Sequence, residues 1–257
     1  MNNKVSKIKS ILVIDSGIGG LSTLAEVTTL TKANFIYFAD NNNSPYGDKS
    51  NEFLKNRLYG IINSLQIKFN FSMVILACNT ATTSAIEFLR NKFPNLSFIG
   101  TEPAYKLAIN KNFKSPVILA TPRTITNLSK KIENNFKLIQ NRVLANLIEQ
   151  TFTSHSFFSN FLLLKEIFKL KTTLKNNDCL VLGCTHYVFI KDKLSKILNI
   201  SIIDGNNGVA RRVFNLCKHL DRKKLAIKII LSQQNSISLQ KYKKILKQIL
   251  ANQIKLC

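Results

Sequence analysis

The chain has 257 residues, 45% of them hydrophobic, so it can bury one large core or two smaller ones. No apolar run approaches the roughly 18 residues that a membrane-spanning helix needs, and the run at 11–14 is too short for a signal-peptide core. Lys and Arg number 37 against 14 Asp and Glu, a net charge of +23, yet the lysines are scattered and lack the basic and aromatic interleaving of a single-strand binder. A cytoplasmic protein with no membrane partner is expected. Nonspecific contact with nucleic acid, or attraction of a small anionic substrate, is a simpler use of this charge than a dedicated nucleic-acid function.

Six short apolar runs follow one another along the chain. Residues 11–14 lead into Asp15-Ser16-Gly17-Ile18-Gly19-Gly20, and 35–39 lead into Asp40. Residues 73–77 lead into Cys78, 117–120 into Thr121, 180–183 into Cys184 and 200–203 into Asp204. Runs this short suit buried parallel strands, and helical patterns lie between them, so an α/β architecture of repeated βα units is predicted. Ligands of such sheets sit beyond the carboxyl ends of the strands, where Asp15, Asp40, Cys78, Thr121 and Cys184 would gather.

The chain also resembles itself. Val74-Ile75-Leu76-Ala77-Cys78-Asn79-Thr80 parallels Leu180-Val181-Leu182-Gly183-Cys184-Thr185-His186, and Val13-Ile14-Asp15-Ser16 parallels Leu119-Ala120-Thr121-Pro122. Two similar α/β domains with mainly parallel sheets, facing each other across a shared cleft, are predicted. The crossovers fall near 100–103 and 204–208, where Gly and Pro punctuate the chain. The first domain is then 1–100 plus 206–257, and the second is 101–205. A last helix from about Ser238, with Leu239, Tyr242, Leu246, Ile249 and Leu250 on its apolar side, would cover the first domain.

The cysteines are Cys78, Cys179, Cys184, Cys217 and Cys257, with no C-x-x-C pair, and Cys217 with His219 is weak as a metal site. Most free cysteines are merely small buried residues. Cys179 starts a strand and reads as structural, and Cys217 and Cys257 receive no role. Cys78 and Cys184 stand at strand ends just before helices, where backbone dipoles would favour the thiolate and lower the thiol below about 8.5. Two facing thiols suit proton transfer at a stereocentre: one removes a proton from one face of a carbon and the other delivers one to the opposite face. Asp15 could serve only as a helix cap, and His186 could be an ordinary buried histidine, but each lies beside this machinery. The Gly17–Gly20 cluster lacks the full pattern of a nucleotide loop.

The ordered motifs Asp15-Ser16-Gly17-Ile18-Gly19-Gly20, Ser44-Pro45-Tyr46-Gly47, Ala77-Cys78-Asn79-Thr80-Ala81, Glu102-Pro103-Ala104 and Leu182-Gly183-Cys184-Thr185-His186-Tyr187 resemble those of bacterial glutamate racemases over nearly the whole chain. The resemblance implies an isomerase that interconverts L- and D-glutamate without a cofactor or metal and feeds D-glutamate into peptidoglycan synthesis. It implies Cys78 and Cys184 as acid/base residues, with Asp15 and His186 assisting one thiol each and Glu149 near the site. Substrate contacts would come from Asp15, Ser16, Pro45, Tyr46, Gly47, Asn79, Thr80, Thr121, Thr124, Thr185 and His186. A homodimer is also implied. The chain departs from the family pattern at Asn41-Asn42-Asn43, Ala39, Ala120 and Val188, none of which removes a catalytic group. The competing readings are a racemase of a related acidic amino acid such as aspartate, and a basic DNA-associated regulator on the same scaffold.

Overall fold

The computed structural model describes residues 10–132, 136–154, 156–217, 225–233 and 236–254. His219 and Cys257 lie outside the described residues. The first part of the chain runs β1 (Ser10–Asp15), α1 (Gly20–Leu30), β2 (Asn34–Ala39), α2 (Asn51–Lys68), β3 (Phe71–Leu76), α3 (Asn79–Lys92) and β4 (Ser97–Gly100). The second runs α4 (Tyr105–Asn110), β5 (Pro116–Ala120), α5 (Pro122–Leu128), β6 (Lys137–Gln140), α6 (Leu144–Ser154), α7 (Phe157–Thr173), β7 (Cys179–Gly183), α8 (Lys191–Leu198) and β8 (Ser201–Ile203). The chain ends with α9 (Asn206–Cys217), β9 (Ala226–Leu231) and α10 (Ser236–Ile254).

Two parallel sheets result, one ordered β4-β3-β1-β2-β9 and the other β6-β5-β7-β8. Read from the opposite edge, the second is β8-β7-β5-β6, the same order as β4-β3-β1-β2. The internal likeness of the sequence is thus a likeness of topology, with β3 and β7 in equivalent places and β9 added beside β2. Parallel neighbours need a crossover, and the helices supply it while covering both faces.

Side-chain alternation divides each sheet between two cores. Ile11, Val13, Phe35 and Tyr37 face α1, α9 and α10, whereas Leu12, Ile14, Ile36 and Phe38 face α2 and α3. In the second sheet Val117 and Leu119 pack against α6, α7 and α8, and Ile118 and Ala120 against α4 and α5. Cys179 is buried with Ile118 and Val181, and Cys217 packs into the core beneath α1. Tyr242, Ile245 and Leu246 of α10 enter that same core, so the last helix does cover the first sheet.

Three strands had no counterpart in the sequence reading. β4 holds only Phe98 and Ile99 as large apolar residues, β6 has two flanked by Lys137 and Gln140, and β9 is an edge strand interrupted by Lys228. Each borrows its extended form from a neighbour's hydrogen bonds rather than from its own pattern. The segment after Cys184 also differs: a 3-10 turn over Thr185–Ile190 precedes α8.

Candidate active site

Cys78 follows β3 and stands immediately before α3, and Cys184 follows β7 immediately before the 3-10 turn. The two sulfurs therefore occupy equivalent ends of equivalent strands. Both residues are buried as free thiols.

Beside Cys184 the structure builds a relay. His186 Nδ1 lies 3.9 Å from the Cys184 sulfur, and His186 Nε2 lies 2.7 Å from Glu149 Oε2. Glu149, on α6, also accepts the Ile18 N–H at 2.9 Å and the Tyr242 O–H at 3.2 Å. One carboxylate thus ties together the loop before α1, the last helix and the imidazole. Burial alone would lower the His186 pKa, but its hydrogen bonds to Cys184 and Glu149 and their charges carry it well above its ordinary value.

On the other side is Asp15, fully buried at the end of β1. It accepts the Gly17 N–H at 2.9 Å and the Thr185 O–H at 3.1 Å, the latter from the opposite domain. Burial raises its pKa, against the opposing pull of His186 and these two donors. Gly17 and Gly19 matter here for space. A Cβ on Gly19 would lie 2.5 Å from Thr185 Oγ1 and 2.6 Å from His186 Nδ1, and one on Gly17 would strike the Glu149 carboxylate. Neither glycine has a positive φ, so close approach of the second domain is the reason for both.

A third group closes the floor between the domains. Thr80 Oγ1 lies 2.9 Å from Thr121 Oγ1 and 3.0 Å from Thr124 Oγ1, and Gly47 packs against Thr121. Ser16 and Asn79 are buried at the ends of β1 and β3, and Pro45 is half-buried at the start of its turn. The Tyr46 hydroxyl donates to Asp40 Oδ2 at 2.8 Å. Arg57 grips the same carboxylate with Nε at 2.9 Å and Nη2 at 2.6 Å. Burial would raise Asp40, but the Arg57, Tyr46 and Asn43 donors hold it below the usual carboxylate range.

The chain is 40% identical over 233 residues to a glutamate racemase of Clostridium botulinum, covering 85% of this chain and 86% of that one. It is 35% identical to the glutamate racemase of Buchnera aphidicola, covering 93% of each. The chain belongs to the glutamate racemase family. Among solved structures it is similar to Escherichia coli glutamate racemase in complex with L-glutamate and the activator UDP-MurNAc-Ala, with a TM-score of 0.78, 26% identity and coverage of 95% of this chain and 96% of that one. No protein-family model matches the chain.

For a glutamate racemase fold, two features of this site escaped the sequence reading. The first is the state of Cys78. The position before a helix was expected to lower its pKa; instead burial raises it strongly, and the charges of Asp15 and Cys184 add to that. The Thr80 and Ala81 N–H groups pull the other way and lose. The second is the supporting tyrosines. Tyr37 donates to the Gly17 carbonyl at 2.6 Å, and Tyr242 supports Glu149. In sequence both looked like apolar positions of a strand and a helix. The only available signal was that a buried phenol needs a partner.

Proposed function

We propose that the chain interconverts L- and D-glutamate by two-base proton transfer between Cys78 and Cys184 in the cytoplasm, supplying D-glutamate for peptidoglycan synthesis. The observation that supports this best is the placement of two buried thiols at equivalent strand ends of two matching sheets. The Cα of the substrate would sit between them, each sulfur about 3–3.5 Å from its reacting position. One thiolate takes the Cα proton while the opposite thiol donates its own to the other face. Asp15 serves the Cys78 side, and His186, held by Glu149, serves the Cys184 side. Thr80, Thr121, Thr124, Thr185, Asn79, Ser16 and the turn at Pro45, Tyr46 and Gly47 supply hydrogen bonds for two carboxylates.

The raised Cys78 thiol fits this role once substrate is considered. An unliganded closed site disfavours thiolate, whereas the α-ammonium group of a bound amino acid brings positive charge to the sulfurs and favours it. The base is therefore formed where substrate is present. The chemistry needs neither metal nor cofactor, and dialysis against a chelator should leave activity intact.

The test is Cα hydrogen–deuterium exchange on each enantiomer. The wild type should exchange both, and should turn over glutamate at least about tenfold faster than aspartate, a difference of ~1.4 kcal/mol. Cys78→Ser and Cys184→Ser should each lower racemisation by several orders of magnitude. Each should still eliminate a leaving group from one enantiomer of a suitable analogue, with opposite preferences. Near-wild-type racemisation in either variant, or one shared preference, overturns the mechanism.

A further inference from the structure

Helix α7 carries an apolar ridge that the protein itself does not cover. Ser159, Leu163, Ile167 and Leu170 face the core, as its 3.6-residue period requires. Phe157, Phe161, Leu164 and Phe168 follow at spacings of four, three and four residues, a single stripe on the opposite side. Phe157 is 87% exposed and Phe158 beside it 67%, while Phe161 and Phe168 are each more than half exposed. Rings this open cost solubility, and a contiguous patch of them marks a contact surface.

Charge identifies what the surface fits. Exposed Lys165 and Lys169 flank the stripe on one side, and exposed Lys171 on the other. The sole acid of the helix, Glu166, is half-buried and engaged, its Oε1 accepting the Asn141 amide at 2.7 Å. The neighbouring outward positions of α6 are Asn146, Gln150 and Ser154, so no carboxylate borders the ridge there. Aromatic rings edged by lysines, on a chain with a net charge of +23, complement a surface that is apolar beneath and anionic above. A second copy fits poorly, because pairing the same stripe would bring Lys165, Lys169 and Lys171 of both copies together. The shape agrees: rings projecting from a convex helix enter a deformable layer without needing a preformed groove.

We propose that α7 is a peripheral docking ridge for anionic lipid bilayers, with Phe157, Phe158, Phe161 and Phe168 inserting among the acyl chains and Lys165, Lys169 and Lys171 meeting the headgroups. No helix of the described residues is long and apolar enough to cross a membrane, so the contact is confined to the surface. The proposal revises the expectation of no membrane partner, which rested on the lack of such a span, and it does not depend on the catalytic reading.

The chain has no tryptophan, so Phe161→Trp introduces a single reporter on the ridge. Its emission should shift to the blue with phosphatidylglycerol-containing vesicles and stay unchanged with pure phosphatidylcholine. In vesicle sedimentation, the triple variant Phe157→Ser, Phe161→Ser, Phe168→Ser keeps every charge and should bind at least about tenfold more weakly than wild type. Replacing Lys165, Lys169 and Lys171 with Gln should weaken binding by a similar factor. Equal melting temperatures would show that the variants remain folded. Unchanged binding by the serine variant would mean simple adsorption of a basic protein and overturn the proposal. So would a reporter silent to anionic vesicles, or self-association in sedimentation that the serine substitutions abolish.

Discussion

The Glu149 hub offers the sharpest test of the site's electrostatics. Glu149→Gln removes the charge but little of the geometry: a carbonyl at the Oε2 position can still accept from the Ile18 N–H and His186 Nε2, while the amide NH2 meets the Tyr242 oxygen in place of Oε1. A protonated His186 then faces a neutral acceptor instead of a carboxylate, and its protonated form is less favoured. The carboxylate's charge is lost from the 2.7 Å bond, and hydrogen bonds to charged groups contribute about 1.5–3 kcal/mol. An imidazole whose folded pKa lies above its unfolded value contributes its stability in full below about pH 6.5 and loses it as pH rises through the folded value. His186 is such a group, raised by Cys184 and Glu149 against burial. The loss of roughly 2 kcal/mol should therefore be full near pH 6 and shrink in alkaline solution. Urea unfolding of wild type and variant at about pH 6 and about pH 9 reads this directly, as a midpoint shift of roughly 1 M that narrows at the higher pH. Racemisation should fall about 10–100-fold, with Cα exchange slowed more for the enantiomer served by Cys184. Equal destabilisation at both pH values, or equal slowing for both enantiomers, would refute the relay.

Gly19→Ala should press a methyl group onto Thr185 and His186, costing about 1–3 kcal/mol in urea unfolding and most of the racemisation rate. Gly60→Ala is its control, since nothing lies within 4 Å of that helical position, and it should stabilise by about 0.5–1 kcal/mol. Arg57→Ala leaves the Asp40 carboxylate buried without its cation, and about 2 kcal/mol of stability should be lost near neutral pH. Because Asp40 titrates below its ordinary value, that loss should fade as the solution is acidified below about pH 4, a trend that thermal melts across pH can follow. Tyr242→Phe removes only the hydroxyl that supports Glu149; kcat should drop a few-fold with KM nearly constant, and an unchanged kcat would remove Tyr242 from the relay.

The fold could be read wherever a strand is buried on both faces. Central strands such as β1, β3, β5 and β7 must be apolar along their length, and their runs stood out from the polar segments around them. Edge strands β6 and β9 have one neighbour and a wetter face, so their residues are mixed and no run announced them. The repeated pattern ending in Cys78 and Cys184 reflected a topological repeat because both halves meet the same packing demand with the same order of strands.

Local pattern was enough to place the central strands, the strand-end position of both thiols and the motif order that marks the family. Each of these is local: a side-chain period of two, a helix start, a residue beside its neighbour. Contacts between distant segments follow from packing instead: Glu149 joins His186, Ile18 and Tyr242, Asp15 reaches Thr185, and Tyr46 and Arg57 converge on Asp40. Burial of the Cys78 thiol, which pushes its pKa up, is likewise a tertiary matter, because it depends on what lies above a strand end and not on the strand end itself. The exposed rings of α7 belong to the same class. Their sequence is that of any Phe-rich core helix, and only the packed structure shows which side the core leaves uncovered.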